Sequence, residues 1–157
     1  MKNSKWNRLF PTLVAILSLL SASEKAMSAD PSPAVATIQN VSGMATVLRQ
    51  GQAITAKLGL EVWENDTLRT GPDGSIGVVF KDDTSLSLGP ESVLVIDEFV
   101  FAPQQGKFSI VVRMLKGTAA YISGLSSKLQ PDSTRFETPS ASLGIRGTKF
   151  VVKVEEK

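Results

Sequence analysis

From about residue 35 onward, the chain alternates apolar and polar residues in short runs. A period of two places every second side chain on one face of a β-strand, so each run predicts a strand with one buried face. Two sets of alternating residues give the clearest pattern. Together they predict nine core residues: Ile76, Val78, Phe80, Leu86, Leu88, Phe108, Ile110, Val112 and Met114.

Glycine, proline and aspartate separate the runs at roughly the 8–12-residue spacing of all-β domains. Residues 93–101 are apolar on both faces except at Asp97 and Glu98, which predicts burial on two sides or a sheet corner. The stretch "LSSKLQ" (125–130) is too short and too poorly capped to predict a helix. The chain is therefore predicted to be all-β, with strands at 35–40, 44–49, 66–70, 75–81, 84–88, 92–101, 107–115, 118–122, 135–138, 141–145 and 149–154.

The phase of the alternation changes near the C-terminal end of these runs. Apolar residues stand at odd positions before the change and at even positions after it: Ala141, Leu143 and Ile145, then Phe150, Val152 and Val154. A strand changes phase at a bulge or a corner, and glycine forms one at low cost. Gly147 is therefore predicted to form it.

Arg146 precedes that glycine, on a face whose other residues are small. This space predicts a structural role, in which the guanidinium lies across the sheet and donates to loop carbonyls or to a carboxylate. A buried arginine must be paired, because an unpaired buried charge is strongly destabilising. An exposed, ligand-binding Arg146 is the alternative. The candidate partners are Asp66, Asp82, Asp83 and Asp97.

The first 28 residues are typical of a cleaved secretory signal peptide. Lys2, Lys5 and Arg8 precede the apolar stretch 9–22, and small residues follow it. Cleavage is predicted after Ser28 or Ala29, which leaves an extended leader at 29–34. An uncleaved membrane anchor is the alternative, although a spanning helix needs about 20 apolar residues.

Removal of that segment changes the charge of the chain. The formal net charge is +2, but residues 1–28 hold four of the 17 basic residues and one of the 15 acidic ones. The remainder has 13 basic and 14 acidic residues, a net charge of −1. No basic patch is expected for nucleic acid or for an anionic membrane surface, and no stable membrane span is expected after cleavage.

Candidate chemistry is sparse, because the chain contains no histidine and no cysteine. These absences exclude Ser-His-Asp catalysis, thiolate nucleophiles, histidine-ligated zinc and iron–sulfur sites. Asp82 and Asp83, with Asp73 nearby, could hold calcium but lack EF-hand spacing. The glycine-rich stretch 71–77 indicates a hairpin turn more than a phosphate cradle. The expectation is a chain with no enzymatic activity, no cofactor and no metal.

Two aromatic residues could form a ligand surface. Trp63 and Tyr121 could offer rings for stacking on a sugar, which supports the alternative of a module that binds carbohydrate or peptidoglycan. A single tryptophan beside a turn more often packs against its own chain.

Three stretches carry motifs in a recognisable order: "LGLEVWENDTLRTGPDGSIGVVFKDDTSLSLGPESVLVIDEF" (58–99), "MLKGTAAYI" (114–122) and "FETPSASLGIRGTKFVV" (136–152). They resemble the FecR-type periplasmic domain family. Asn65 and Asp83 stand where that family usually has glycine; asparagine and aspartate tolerate a positive φ, so both departures are mild. The motif positions predicted to be structural are Gly59, Asp66, Thr70, Gly89, Gly117, Pro139, Arg146, Gly147 and Thr148.

The resemblance implies an all-β domain over residues 35–154, similar to a small β-solenoid or β-roll, with a charged tail at 155–157. It also implies a periplasmic or secreted location. Full-length members resemble transmembrane regulators that relay transporter occupancy to a cytoplasmic sigma factor. Only eight residues precede the apolar stretch here, so that relay is not expected. The expected function is a non-enzymatic, exported module for protein interaction or envelope signalling, which binds another envelope protein or itself.

The last predicted strand, 149–154, is expected to lie at an edge, because the family usually continues with further strands. An edge strand invites pairing with another chain. The charged residues Glu155, Glu156 and Lys157 could equally blunt that edge.

Overall fold

A computed structural model describes residues 33–146 and 149–156 of the chain. The predicted signal peptide and most of the leader lie outside the described residues, as do Gly147, Thr148 and Lys157. Within the described residues the chain is mostly β, as predicted. The strands are β1 (Ala36–Ser42), β2 (Ala45–Arg49), β3 (Gln52–Thr55), β4 (Glu61–Val62), β5 (Thr67–Thr70), β6 (Ser75–Phe80), β7 (Ser85–Leu88), β8 (Val93–Ala102), β9 (Lys107–Ile122), β10 (Thr134–Glu137), β11 (Ser142–Gly144) and β12 (Lys149–Val154).

The strands form one open, curled sheet whose two halves share β9. The first part of β9 lies between β8 and β10, and its last four residues lie between β7 and β12. One half has the order β3-β2-β5-β8-β9-β10-β11, and the other has the order β4-β1-β6-β7-β9-β12. The predicted β-solenoid or β-roll is not confirmed. Apart from the parallel pair β9–β10, the described pairs are antiparallel, whereas successive solenoid turns would stack in parallel.

The chain crosses between the two halves at a corner built from turns. We use "the corner" for Gly43–Met44, residues 71–74, residues 89–92 and Gly117. Hydrogen bonds tie these turns together: Gly71 N donates to Met44 O at 2.8 Å, and Glu91 N donates to Gly71 O at 3.0 Å. The corner explains how one sheet curls around a core.

The core confirms the predicted alternation. Eight of the nine predicted residues are buried, and Phe108 is half-buried, with its ring centroid 5.9 Å from that of Phe101. Residues 93–101 have apolar side chains on both faces because β8 bulges at Asp97: Ile96 pairs with Val112, and Glu98 pairs with Val111. The bulge moves the core-facing positions from Leu94 and Ile96, which are buried, to Phe99, which is partly buried. The sheet corner predicted for residues 93–101 is therefore a bulge within one strand.

Three predictions of secondary structure were wrong. Residues 107–115 and 118–122 belong to one strand, β9, in which Gly117 has a φ of 96° and the unpaired Leu115 forms a bulge. The short strands β3 and β4 were missed. The helix α1 (Leu125–Leu129) was not predicted because it lacks a local cap, but Asp82, which is distant in the sequence, caps it. The Asp82 carbonyl accepts from Leu125 N at 2.7 Å, and the Asp82 carboxylate accepts from Ser126 N at 3.2 Å.

Candidate functional site

Three of the predicted motif residues meet at the corner. The Thr70 hydroxyl donates to Gly89 O at 2.7 Å and accepts from Ser92 N at 2.9 Å. The Ser92 hydroxyl accepts from Thr118 N at 3.0 Å, beside Gly117. Each hydroxyl satisfies a backbone group that the turns leave without a ladder partner. The motif positions Thr70, Gly89 and Gly117 thus build the fold at this point.

Asp66 holds a second structural cluster, together with Arg49, which the sequence analysis missed. Leu48 pairs with Thr67, so the next residues along the two strands, Arg49 and Asp66, lie side by side. The Arg49 guanidinium donates to the Asp66 carboxylate at 2.9 Å and 2.7 Å, and this hydrogen bond raises the pKa of Arg49. Only the strand register, which a single sequence does not show, could have revealed the pair.

Trp63 completes that cluster and does not offer both faces of its ring. Its backbone N donates to Asp66 Oδ2 at 2.8 Å, and the Arg49 guanidinium carbon lies 3.8 Å from the centroid of its ring. One ring face is therefore occupied by a cation–π contact.

Gly59 lies in the loop before β4, where its φ of 81° favours glycine.

Tyr121 is fully buried, so its prediction as a ligand surface is wrong. Its ring stacks on Phe150 with centroids 5.0 Å apart. Burial raises the pKa of the phenol, and the hydroxyls of Thr84, Ser127 and Thr134 oppose this shift. None of them meets the Tyr121 oxygen with the geometry of a full hydrogen bond. The carbohydrate-binding alternative thus loses Tyr121, and one face of Trp63.

Tyr121 predicts a loss of stability at alkaline pH. The pKa of Tyr121 is higher in the folded state than in the unfolded chain, where it is about 10, so folding favours the neutral phenol. Its contribution to stability is fully present below the unfolded pKa and is lost as the pH rises through the folded pKa. Urea unfolding from neutral to strongly alkaline pH should show the loss, and the absorbance of the chain's single tyrosine should report the ionisation. Tyr121→Phe is the control: if its stability falls just as steeply with pH, Tyr121 is not responsible.

Asp82 and Asp83, the candidate calcium ligands of the sequence, lie in different surroundings. Asp82 is buried and accepts from Thr84 N at 3.0 Å and from the Thr84 hydroxyl at 2.8 Å, whereas Asp83 faces solvent. Across residues 33–146 and 149–156, no group of three acidic side chains converges as metal ligands would. Asp83 and Asn65 have φ angles of 64° and 69°, which confirms that both positions favour a positive φ.

Arg146 does not lie where the sequence analysis expected it. Its side chain is 77% exposed, and its Nε lies 3.7 Å from Oδ1 of the equally exposed Asp132. Of the four predicted partners, Asp66 pairs with Arg49 and Asp97 pairs with Arg113. The prediction of a buried, paired guanidinium is therefore wrong. Ile145 is the buried residue of this segment, and its N donates to Thr134 O at 3.0 Å.

The open side of the sheet lies at β11 and β12. β11 pairs only with β10, and β12 pairs only with β9, so each has a free edge among the described residues. Between the ends of these strands lies a cleft of about 540 Å³. Its lining includes Leu115, Pro139, Leu143 and Val154. Pro139 belongs to a tight turn in which Thr138 N donates to Ala141 O at 2.8 Å.

β12 is amphipathic along its whole length. Phe150, Val152 and Val154 pack against the core and remain half-exposed, while Val151 on the other face is 64% exposed. At the C-terminal end, Lys153 Nζ contacts Glu155 Oε1 at 2.9 Å and lowers the pKa of Glu155. The edge predicted for residues 149–154 is therefore present, with charged residues beside it.

A family profile and a solved structure are similar to parts of this chain. The profile of the family described as "FecR protein" matches residues 66–157, which is more than half of the chain but does not include Gly59. No curated protein matches the chain. A solved structure titled "Cell surface anchoring domain" is 32% identical over 39% of this chain and 82% of that chain. Its TM-score of 0.38 is too low to show a shared fold. On the strength of the profile match, the chain belongs to the FecR protein family.

Proposed function

We propose that this chain is an exported, non-enzymatic module of the cell envelope that binds a second polypeptide chain, another envelope protein or itself, by strand addition at β12. The observation that carries the proposal is the free edge of β12, whose apolar face is half-exposed although it packs against the core. In strand addition, backbone hydrogen bonds supply affinity and alternate side chains supply specificity. β12 offers both.

The proposed absence of enzymatic activity is supported by how the buried polar residues are used. Asp66 and Asp82, the two fully buried carboxylates of the described segment, accept hydrogen bonds from their own chain. Neither opens into the cleft at β11 and β12. The family comprises regulatory and signalling proteins, which supports an interaction role over a catalytic one.

The proposed location is the periplasm or the exterior, reached by way of a signal peptide that is removed after Ser28 or Ala29. The family supports this location. Among the described residues, no helix has the length and apolar character needed to cross a membrane. Envelope signalling is the proposed context, with the partner protein providing any relay of the signal.

Photo-cross-linking in intact cells tests the proposal. A photoreactive residue at Val151, on the free edge of β12, should give one discrete cross-linked species in the envelope fraction. The same residue at Leu58, which is 70% exposed but lies in a loop, is the matched control. Equal patterns at the two positions, or no cross-link at Val151, would contradict strand addition at β12.

A further inference from the structure

We infer that the occupant of the β12 edge is a second copy of this chain, paired antiparallel about Val152. The inference rests on the proposed function and names its partner. A two-fold axis perpendicular to the sheet would join the two β12 strands and extend the sheet across the dimer.

Length distinguishes β12 from the other free edges. Among the described strands that pair with one neighbour alone, β4 has two residues, β11 three and β3 four, whereas β12 has six. Short edge strands limit the number of backbone hydrogen bonds that an added strand can form. Of these four strands, β12 therefore gives the longest ladder for a partner strand.

The alternation along β12 restricts the register. Its solvent face presents Lys149, Val151, Lys153 and Glu155, and its apolar face presents Phe150, Val152 and Val154. Residues directly opposite each other in a sheet share a face, so a slip of one residue would set apolar side chains against charged ones. A symmetric antiparallel pair must therefore be centred on a residue, and not between two residues.

Charge and ladder length together select one centre, because a pair centred on Phe150 or on Val154 would set at most three residues of β12 opposite β12 of the other copy. A pair centred on Val151 sets Lys149 opposite Lys153, and a pair centred on Lys153 sets that lysine opposite its own copy. Like charges directly opposite each other destabilise a strand pair. A pair centred on Val152 sets Lys149 opposite Glu155, and symmetry repeats this contact at the other end of the strand.

The same centre also completes the apolar contacts. Phe150 would face Val154 of the other copy, and Val152 would face itself. On the solvent face, the aliphatic stem of Lys153 would cover the exposed Val151. Phe150 is already fixed by Tyr121 and by Phe136, whose ring centroid lies 5.5 Å away in an edge-to-face contact. The new contacts would thus extend an ordered core.

Charge reversal tests the register. Lys149→Glu alone and Glu155→Lys alone should each shift the purified protein to the monomer in sedimentation velocity, because each sets like charges opposite each other. An equimolar mixture of the two variants should regain the dimer, since positions 149 and 155 would both be acidic in one copy and both be lysine in the other. Lys128→Glu, an exposed reversal on α1, is the control and should leave the dimer intact.

Disulfide cross-linking tests the centre directly, because the chain has no cysteine of its own. With Val152→Cys, the two copies of residue 152 would lie about 4.5–5.5 Å apart between Cα atoms, which a disulfide can bridge. Oxidation should therefore give a covalent dimer. Val154→Cys is the matched control. The two copies of residue 154 would lie four residues apart along the strands, so oxidation should not join them.

The outcomes separate this inference from the proposed function. A monomer at every concentration, together with a Val151 cross-link to a different protein, overturns the second copy and keeps strand addition. A monomer without any Val151 cross-link overturns both. Equal cross-linking through positions 152 and 154, or a dimer insensitive to both charge reversals, overturns the register.

Discussion

Replacing Gly117 by alanine is expected to destabilise the fold by about 2–5 kcal/mol, the combined cost of backbone strain and overpacking. Gly117 has a φ of 96°, which side chains rarely adopt. The Cβ atom of an alanine at position 117 would lie only 2.6 Å from the Cβ atom of Ser92, so the two residues would overlap. Ser92 cannot move freely, because its hydroxyl and backbone are both bound at the corner.

Gly51→Ala is the matched control for this prediction. Gly51 also has a positive φ, of 80°, but an added Cβ would meet nothing within 4 Å. Only the backbone cost of about 1–2 kcal/mol is therefore expected. Urea unfolding followed by circular dichroism gives both values, and equal losses for the two variants would show that the corner is not tightly packed.

Replacing Asp66 by alanine should cost about 3–5 kcal/mol, because it leaves the Arg49 guanidinium partly buried without its partner. Asp66 is 1% exposed and Arg49 is 17% exposed. The same change also removes the acceptor for Trp63 N. Chemical unfolding measured at neutral pH would give the size of the loss.

Asp97→Ala provides the comparison for that pair. Asp97 and Arg113 form a bidentate ion pair with similar distances, 2.9 Å and 2.6 Å, but their side chains are 26% and 45% exposed. Exposed pairs contribute at most about 1 kcal/mol. If the two aspartate variants lose the same stability, burial does not determine the strength of the Asp66 contact.

The alternation of apolar residues predicted most of the fold, because a period of two is a local property of the sequence. It placed Ile76, Leu86 and Ile110 in the core without any knowledge of topology. The sequence predicts two strands around Gly117 because glycine often marks the end of a strand, whereas here it lets β9 bend and continue. The helix α1 depends on Asp82, more than forty residues away, and single-sequence patterns do not include such contacts.

The site was predicted less well for a similar reason. The motif residues Thr70, Gly89 and Gly117 lie far apart in the sequence, and their meeting at one corner follows from tertiary packing. The small neighbours of Arg146 predict space for its side chain in the interior, but the structure places it in solvent. Arg49 gave no local signal, since only the β2–β5 register brings it to Asp66.

The central place of β9 has a consequence for how the protein reaches its native state. Without β9, the first eight strands form two separate groups, β3-β2-β5-β8 and β7-β6-β1-β4. A chain that emerges from its N-terminus would expose the unpaired strand edges of β7 and β8 until residues 107–122 are available to form β9 between them. Completion of the fold must therefore wait for the last third of the polypeptide, and this interval is when the chain is most vulnerable to aggregation.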